Sequence, residues 1–312
     1  MPVNRIIRTA VVGVGYLGGF HAEKYAVLEN AELVAVVDVD MDRAQSVAGR
    51  LGAGAFANHR EIMGMVDAVS IAVPTQCHYE VARDFLRNGV GVLLEKPMTT
   101  TLEEADELIR TARESGAVLQ IGHLERFNPV LVALDDILTD PRFIESIRIA
   151  PFKPRGTDVN VVLDLMIHDI DIIQPIIRSP IKRIDSIGAP VFTEEEDIAN
   201  ARILFENGCV ANVTASRISL KSERRMRIFQ PDAYITMDFQ NKKVAVFRKG
   251  NGEMFPGVPN VTIDQRELGQ GDVLKDEIES FLEAVAGIRT PEVTGEDGRR
   301  ALETALLINK KL

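Results

Sequence analysis

The stretch VVGVGYLGGFHA, residues 11–22, decides the fold of this 312-residue chain. An apolar run leads into it, and it carries three glycines in the spacing G-x-G-x-x-G. Glycine permits a tight turn, close approach of a pyrophosphate to the backbone, and close packing of a helix on a strand. The stretch therefore predicts a strand, a dinucleotide-binding loop and the start of a helix. The predicted cofactor contacts in it are Gly13, Gly15, Tyr16, Leu17 and Gly18.

A second apolar run, ELVAVVD, ends at Asp38, 20 residues beyond Gly18. An acid at this distance can accept hydrogen bonds from the ribose hydroxyls of a dinucleotide. Val39 and Asp40 follow it, and neither supplies a positive charge that would hold a 2′-phosphate. We therefore predict NAD as the cofactor rather than NADP.

Short apolar runs alternate with amphipathic stretches over the first 122 residues. This rhythm predicts an α/β domain, residues 1–122, built on a parallel, doubly wound Rossmann sheet. The predicted strands are Ile6–Val12, Glu32–Asp38, Asp67–Val73, Gly91–Glu95 and Ala117–Ile121. The predicted helices lie near 18–29, 41–51, 77–88 and 102–115.

The rhythm changes after this point in the chain. One strongly apolar helix is predicted near 159–177, among strand-like runs separated by turn signals. We therefore expect a second domain, residues 123–295, of α+β class on a mostly antiparallel sheet. Its predicted strands are Ile144–Ala150, Ile181–Ile187, Ala199–Phe205, Val210–Ser216, Arg224–Phe229, Tyr234–Phe239 and Val244–Arg248. The remaining predicted elements are a Gly/Pro-rich loop at 249–260 and helices near 272–286 and 296–311.

The composition restricts the class of protein. With 46% hydrophobic and 26% charged residues, the chain can bury the cores of two domains. No apolar run reaches the length of a membrane span, and the N-terminus lacks the layout of a signal peptide. Cys77 and Cys209 lie far apart without metal-ligand spacing, which predicts a reducing, cytoplasmic location and no metal site. The formal charge of -10 argues against nucleic acid and anionic membranes as partners.

The stretch GVLLEKPMTT, residues 91–100, places an acid and a base directly after an apolar strand. Ligands of an open parallel sheet bind beyond the carboxyl ends of its strands, where Lys96 is expected to lie. An ammonium group is a poor base but a good cationic donor to a developing alkoxide, and its charge keeps a nearby histidine neutral. We expect Lys96 to act on the substrate in this way. For Glu95 we expect a structural or cofactor contact.

The stretch VVLDLMIHDIDII, residues 161–173, is apolar nearly all round, as a buried helix is. Its polar residues Asp164, His168 and Asp171 are spaced i, i+4, i+7 and are predicted to share one stripe, whereas Asp169 is directed toward a structural partner. A lone histidine on such a helix is more often a core residue. A carboxylate one turn before it, in a chain that binds NAD, favours a neutral imidazole that accepts a hydroxyl proton.

Together these motifs resemble the glucose–fructose oxidoreductase/inositol 2-dehydrogenase family, known as Gfo/Idh/MocA. The resemblance implies an NAD-dependent oxidoreductase in which Lys96 and His168 flank the reacting carbon and Asp164 assists. It also implies a cis peptide bond before Pro97 and a last helix, 296–312, that packs on the nucleotide domain. The motifs that carry it are the glycine loop with Phe20-His21-Ala22, Pro74-Thr75-x-x-His78, Glu95-Lys96-Pro97 and Asp164-x-x-x-His168. The further cofactor contacts that we expect are Pro74, Thr75, His78, Glu95 and Lys96.

Two more stretches, GHLERFNP at 122–129 and DLMIHDID at 164–171, resemble the sugar-nucleotide dehydrogenases of that family. This implies oxidation of C3 of UDP-N-acetylglucosamine, or of its uronic acid, to a ketone. Basic residues at 153–155 and 221–227 could bind a diphosphate, face a neighbouring subunit or be solvated. Arg126 could form a structural ion pair or contact the substrate. The predicted substrate contacts are Lys96, Arg126, Asn128, Lys153, Arg155, Asp164 and His168.

Other functions stay open at this stage. The family also contains dehydrogenases of free sugars, inositols and other polyols, and NAD-dependent glycosidases that oxidise C3 transiently without net NADH production. A nucleotide-sensing regulator could keep the fold without chemistry, although the presence of both Lys96 and His168 argues against it. The exposed face expected on an antiparallel sheet predicts a homodimer or homotetramer.

Overall fold

The structure is a computed structural model, and the residues that it describes are 6–134, 137–153, 159–269 and 271–312. The chain forms two compact units. The first comprises the chain up to Arg126 together with Asp272–Leu302. The second comprises Phe127–Gly271 together with Glu303–Leu312.

The first unit is built on a six-stranded sheet. Its strands are β1 Ile7–Val12, β2 Ala31–Val37, β3 Gly54–Phe56, β4 Ala68–Ile71, β5 Gly91–Glu95 and β6 Leu119–Gly122. They are hydrogen-bonded in the order β3-β2-β1-β4-β5-β6, and every neighbouring pair is parallel. The predicted Rossmann sheet is confirmed, although β3 was not predicted, because three residues are too few to show a pattern. The strand order reverses between β1 and β4, the switch point at which such sheets bind ligands.

Four helices connect these strands. They are α1 Tyr16–Tyr25, α2 Met41–Leu51, α3 Thr75–Arg87 and α4 Leu102–Ser115. Asp40 caps α2 by accepting a hydrogen bond from the Arg43 amide, and Thr101 with Glu104 forms a capping box at α4. No side chain caps the start of α1. The N-terminus of α1 is therefore a place where a ligand anion can lie.

The second unit is built on an eight-stranded sheet. Its strands are β7 Phe143–Ile149, β8 Ile181–Ala189, β9 Ile198–Phe205, β10 Val210–Ser216, β11 Glu223–Gln230, β12 Ala233–Asp238, β13 Lys243–Phe255 and β14 Val258–Glu267. Their order is β14-β13-β12-β11-β7-β10-β9-β8. The pair β7 and β10 is parallel and the other pairs are antiparallel, as predicted. The helices α5 Pro129–Val132 and α6 Ile167–Ile177 belong to this unit, and α6 packs on β7 and β10.

The predicted loop at 249–260 is wrong, because these residues belong to the hairpin β13–β14, whose turn is Pro256-Gly257. The glycines that suggested a loop lie instead where the pairing of the two strands is irregular. The pairing of the two strands shifts register between Lys249 and Glu253, and Gly252 adopts a φ of 78° there. A bulge of this kind needs the left-handed conformation that glycine tolerates. Glycine in a strand therefore produced the same sequence signal as glycine in a loop.

The last two helices are α7 Val273–Val285 and α8 Gly295–Asn309. The sequence analysis assigned residues 272–295 to the second domain, but α7 is part of the first unit because its buried face joins that unit's core. Ile278, Phe281 and Leu282 of α7 cluster there with residues of α1 and β5. The helix α8 begins in the first unit, and its residues from Glu303 onward belong to the second.

Candidate active site

The glycine loop after β1 has the shape that a pyrophosphate requires. Gly13 has a φ of 84°, and a Cβ on it would lie 2.8 Å from the backbone of Ala72. A Cβ on Gly18 would lie 1.8 Å from the Gly13 carbonyl oxygen, so this close packing of α1 on the loop also requires glycine. Gly15 has open space where its Cβ would be. Because the first turn of α1 carries no acidic residue, its amides can receive an anion.

Two further predicted contacts, Tyr16 and Leu17, form the first turn of α1 and are exposed, Tyr16 to 62%. The Tyr16 ring meets Phe20 edge-on, with 5.1 Å between the ring centroids. These two residues therefore present apolar surface beside the glycine loop. The geometry of the loop and of this turn fits the NAD that the sequence predicts.

Asp38 lies directly after β2 and is buried. Its carboxylate accepts hydrogen bonds from the amides of Val14, at 3.0 Å, and Asp40, at 3.0 Å. Arg43 of α2 reaches both carboxylate oxygens at 3.3 Å. The carboxylate thus joins the end of β2 to the glycine loop, at the place where an adenosine ribose would lie in a Rossmann domain.

Sequence reasoning missed Arg43. It searched for a positive charge only at the two residues after Asp38, whereas Arg43 reaches Asp38 from the first turn of α2. The available signal was the helix cap at Asp40, which predicts that a residue three positions later faces back toward the cap. Arg43 is half exposed and also pairs with Asp40 at 3.1 Å.

The loops that follow β4 and β5 are joined by His78. This histidine is buried, with its Nδ1 2.9 Å from the Pro97 carbonyl oxygen and its Nε2 2.9 Å from the Val73 carbonyl oxygen. Burial lowers the pKa of His78, and the two carbonyl groups oppose that effect. The geometry gives His78 a structural role, because both ring nitrogens face backbone carbonyls, and the cofactor contact stays a prediction. Pro74 and Thr75 lie at the start of α3, in the loop that His78 fixes.

Glu95 ends β5 and Lys96 follows it half-buried. The Glu95 carboxylate lies 3.0 Å from His21 Nε2 through one oxygen and 3.3 Å from the Lys96 amide through the other. Burial acts to raise the pKa of Glu95, but His21 and the charge of Lys96 outweigh it and hold this pKa below its ordinary value. The structural contact expected for Glu95 is present, and the peptide bond before Pro97 is cis as the resemblance implied.

The second unit carries the aspartate–histidine pair. The predicted helix is not regular throughout, because Val162–Met166 form a π-helical turn before α6 begins. Asp164 lies on that turn and His168 in the first turn of α6, and both are half-buried. Turns of this kind occur frequently at functional sites. The pair therefore has the exposure and the local backbone of a site.

Asp169 has the structural partner that the sequence analysis expected. Arg148 of β7 donates to it through Nε at 2.9 Å and Nη2 at 3.1 Å, and both side chains are buried. Such a two-pronged pair fixes the rotation of α6 on the sheet. Asp171, the third residue of the predicted polar stripe, is buried, whereas the other two, Asp164 and His168, are half-buried.

Two predicted substrate contacts have structural partners. Arg126, in the first unit, forms an ion pair with Asp297, with 4.0 Å between Nη2 and Oδ1. Asn128, in the second unit, is buried; its Oδ1 accepts from the Val130 amide and its Nδ2 donates to the Phe239 carbonyl, both at 3.2 Å. It is the cap of α5, which the sequence Asn-Pro could have indicated. The geometry therefore supports a structural role for each.

The remaining basic residues are largely neutralised. Lys221 and Arg225 pair with Glu223 at 2.7 and 3.0 Å, and Arg227 pairs with Glu145. Their partners reduce the positive potential that a diphosphate would need. Lys153 is exposed, and Arg155 lies outside the described residues.

Other site types find no support in the described part of the chain. Among those residues, no cluster of His, Cys, Asp and Glu is arranged to hold a metal ion. No helix described there has the length and apolar character that a membrane crossing requires. Both cysteines are free: Cys77 is exposed, while burial raises the pKa of Cys209 to about 11.

Comparison with known proteins identifies both units. Residues 7–123 match the family model described as "Oxidoreductase family, NAD-binding Rossmann fold", and residues 150–247 match the "GFO/IDH/MocA C-terminal domain". The chain is 41% identical over 303 residues to a UDP-N-acetylglucosamine 3-dehydrogenase of Acidithiobacillus ferrooxidans, which covers 97% of this chain and 96% of that protein. It is 26% identical to a scyllo-inositol 2-dehydrogenase (NAD(+)) of Bacillus subtilis, over 96% of this chain and 92% of the other.

Solved structures agree with these matches. The structure of the Acidithiobacillus ferrooxidans UDP-N-acetylglucosamine 3-dehydrogenase superimposes with a TM-score of 0.92, covering 98% of this chain and 97% of that one. An apo scyllo-inositol dehydrogenase from Lactobacillus casei superimposes with a TM-score of 0.84 at 20% identity, which shows a shared fold.

Proposed function

This chain belongs to the GFO/IDH/MocA family of NAD-dependent oxidoreductases, and we propose that it oxidises the 3-hydroxyl of UDP-N-acetylglucosamine, or of its uronic acid, to a ketone. One observation carries the choice of substrate: the 41% identity to a UDP-N-acetylglucosamine 3-dehydrogenase extends over almost the whole of both chains. The scyllo-inositol 2-dehydrogenase (NAD(+)) of Bacillus subtilis is 26% identical to this chain. A polyol is therefore the second candidate for the substrate.

The proposed chemistry divides between Lys96 and His168. His168, half-buried at the start of α6, accepts the proton of the substrate hydroxyl, because a neutral imidazole is an effective base near neutral pH. Lys96 donates a hydrogen bond to the developing alkoxide. Asp164, one turn before His168, orients the imidazole or the substrate. Bound NAD supplies the acceptor for the hydride that leaves the carbon.

The cofactor contacts that we propose lie in the first unit. The glycine loop and the start of α1 would hold the pyrophosphate, Asp38 would accept hydrogen bonds from the adenosine ribose, and Pro74 and Thr75 would be further contacts of the cofactor. The substrate contacts in this proposal are Lys96, Asp164 and His168, with Lys153 as a cation for the diphosphate.

A binding experiment tests the substrate class before any turnover is measured. A ligand that binds only the folded state raises the melting temperature in proportion to its occupancy and affinity. With NAD present, we expect UDP-N-acetylglucosamine and its uronic acid to raise the melting temperature further, and UDP alone to do so less. Stabilisation by myo-inositol or glucose, with none by either UDP-sugar, would contradict the proposal.

We also propose that the enzyme is a cytoplasmic homodimer or homotetramer that associates through one face of the second unit's sheet. Four aromatic rings, Phe143, Phe229, Tyr234 and Phe247, lie side by side across β7, β11, β12 and β13, with centroids 4.9 to 5.7 Å apart. Ile263 of β14 continues this aromatic row and is 60% exposed. A half-exposed apolar row of this length favours burial against a second copy.

A further inference from the structure

A buried chain of hydrogen bonds in the first unit has no part in the chemistry described so far. The Tyr25 hydroxyl lies 2.8 Å from Ser70 Oγ, Ser70 Oγ lies 3.1 Å from His21 Nδ1, and His21 Nε2 lies 3.0 Å from Glu95 Oε1. Tyr25, Ser70 and His21 are all buried. The chain therefore runs through the interior to the residue that precedes Lys96.

The Glu95 carboxylate sets one direction in this chain of hydrogen bonds. An ionised carboxylate can only accept, so His21 donates to it from Nε2. When Nδ1 carries no proton, it accepts from the Ser70 hydroxyl, and the Ser70 oxygen accepts from Tyr25. Each hydroxyl and ring N–H is used once, and every bond in the chain polarises the next.

On its other side, the Glu95 carboxylate lies close to Gly122 of β6. A Cβ on Gly122 would lie 3.2 Å from Glu95 Oε2 and 3.2 Å from its Cδ. The same oxygen accepts from the Lys96 amide at 3.3 Å. The carboxylate is thus confined between His21 and Gly122, and it holds the backbone of Lys96 directly.

The charged and titratable groups around Glu95 come from four elements. They are His21 of α1, His78 of α3, Lys96 in its own loop and Glu277 of α7. Glu277 is buried, and among the described residues its carboxyl oxygens have no hydrogen-bond partner. Burial and the nearby charge of Glu95 raise the pKa of Glu277 well above its ordinary value. Of the two carboxyl groups, Glu95 is therefore the one whose surroundings favour the charged form.

We propose that His21 is a positioning residue for the oxidation: held by Ser70 and Tyr25, it donates a hydrogen bond to Glu95, holds that carboxylate in place, and thereby fixes the backbone of Lys96. The inference rests on the proposed function of Lys96. Without the His21 donor, burial, which raises the pKa of Glu95, is opposed by Lys96 alone, so this pKa should rise.

Two substitutions of His21 separate this role from a merely structural one. A glutamine side chain places its amide nitrogen near the position of Nε2, so His21→Gln keeps a donor to Glu95. Asparagine is too short to reach it. His59 supplies the control, because its Nε2 lies 3.0 Å from Asp84 in the same unit, and neither residue takes part in the proposed chemistry.

The first measurement needs no substrate. In full-length protein with carboxyl-¹³C-labelled glutamate, NMR spectra between pH 5 and 9 follow the Glu95 signal, which Glu95→Gln identifies. Glu95 should remain ionised over this range in the wild type, His21→Gln and His59→Asn, and should titrate in His21→Asn. A Glu95 that stays charged in His21→Asn would overturn the inference, whether or not the proposed substrate is correct.

Ser70→Ala provides a second route if His21→Asn does not fold. It removes the donor to Nδ1, so the imidazole proton is no longer confined to Nε2 and the donor to Glu95 is weakened. Glu95 should then titrate at a higher pH than in the wild type. An unchanged Glu95 signal in Ser70→Ala would contradict the proposed chain.

The second measurement is the pH profile of kcat with NAD and UDP-N-acetylglucosamine. His21→Asn should lower kcat about tenfold at pH 7, as expected for the loss of one buried hydrogen bond, with recovery as rising pH ionises Glu95. His21→Gln should stay within about threefold of the wild type, and the KM for NAD should not change. Equal, pH-independent losses in both variants would overturn the inference. If the wild type does not oxidise this substrate, the proposed function fails while the NMR result still decides the role of His21.

Discussion

At the scale of single residues, the glycine loop could be predicted because its chemistry is local, whereas His21, the partner of Glu95, lies 74 residues away in the chain. Gly13 and Gly18 are recognisable from their spacing alone. In the structure, a Cβ at either position would lie too close to neighbouring backbone atoms. His78 and Asn128 could not be placed in this way. The Pro97 carbonyl lies 19 residues from His78 and the Phe239 carbonyl lies 111 residues from Asn128, so only the folded chain brings these partners near.

Asp38 provides the first prediction at this scale. Asp38→Ala should weaken NAD binding by about 1–3 kcal/mol, because a charge-assisted acceptor for the ribose is lost. It also releases Arg43, so the affinity for NADP should fall less than the affinity for NAD. Calorimetric titration of both cofactors checks this, with Asp38→Asn as the variant that keeps the shape. An unchanged Kd for NAD in Asp38→Ala would exclude the ribose contact.

The second prediction at this scale concerns Lys96 and His168. Lys96→Met and His168→Asn should each lower kcat by about 10²–10⁴-fold, the usual cost of losing a general acid or base, while NAD affinity stays near that of the wild type. Stopped-flow measurement of the first turnover separates the chemical step from product release. His59→Asn is the matched control. Wild-type turnover by either variant would refute the role proposed for that residue.

At the scale of elements, the strands of the second unit were predictable because many bury one face in a regular period, and the central strands of the first unit because they are continuous apolar runs. The errors have particular causes. β3 is too short to show a period, the β13–β14 hairpin contains glycines, and the π-helical turn Val162–Met166 inserts into an otherwise regular apolar pattern. The membership of α7 in the first unit depends on packing against α1 and β5, which sequence order does not indicate.

The loop between β8 and β9 yields a prediction about stability. Buried Asp197 accepts from the amides of Val191, Phe192 and Thr193 at 2.6 to 2.9 Å and from Arg217 Nε at 2.8 Å. Burial opposes its charge, but these donors hold the pKa of Asp197 well below its ordinary value. A depressed folded-state pKa stabilises the protein above the unfolded pKa, about 4, and this contribution is lost as pH falls further.

Asp197→Asn should therefore lower the free energy of unfolding at pH 7 by about 3–5 kcal/mol, the usual cost of breaking a buried pair. It should also reduce the loss of stability between about pH 4 and pH 2. Urea unfolding at several pH values measures both quantities. A variant with wild-type stability at pH 7 would show that the loop does not depend on this carboxylate.

At the scale of the whole molecule, the aromatic row on the second unit's sheet predicts the assembly. Tyr234→Glu places a charge in its centre, between Phe229 and Phe247, and should shift the protein toward monomers. Light scattering after size-exclusion chromatography measures the mass in solution. Val27→Glu, at an exposed site of the first unit, should leave the mass unchanged. A Tyr234→Glu variant with wild-type mass would place the interface elsewhere.

The family and the NAD chemistry follow from the whole chain, and the choice of a 3-hydroxyl rests on the motifs at 122–129 and 164–171 and on the 41% identity to a UDP-N-acetylglucosamine 3-dehydrogenase. The most direct test incubates the enzyme with NAD, an NADH-recycling co-substrate and UDP-N-acetylglucosamine deuterated at C3. The account predicts a sugar nucleotide lighter by the deuterium and one hydrogen, with the deuterium recovered in the nicotinamide or in the reduced co-substrate, and far slower formation of both products with Lys96→Met. Oxidation of free inositol or glucose, with no oxidised product from either UDP-sugar under the same conditions, would contradict it.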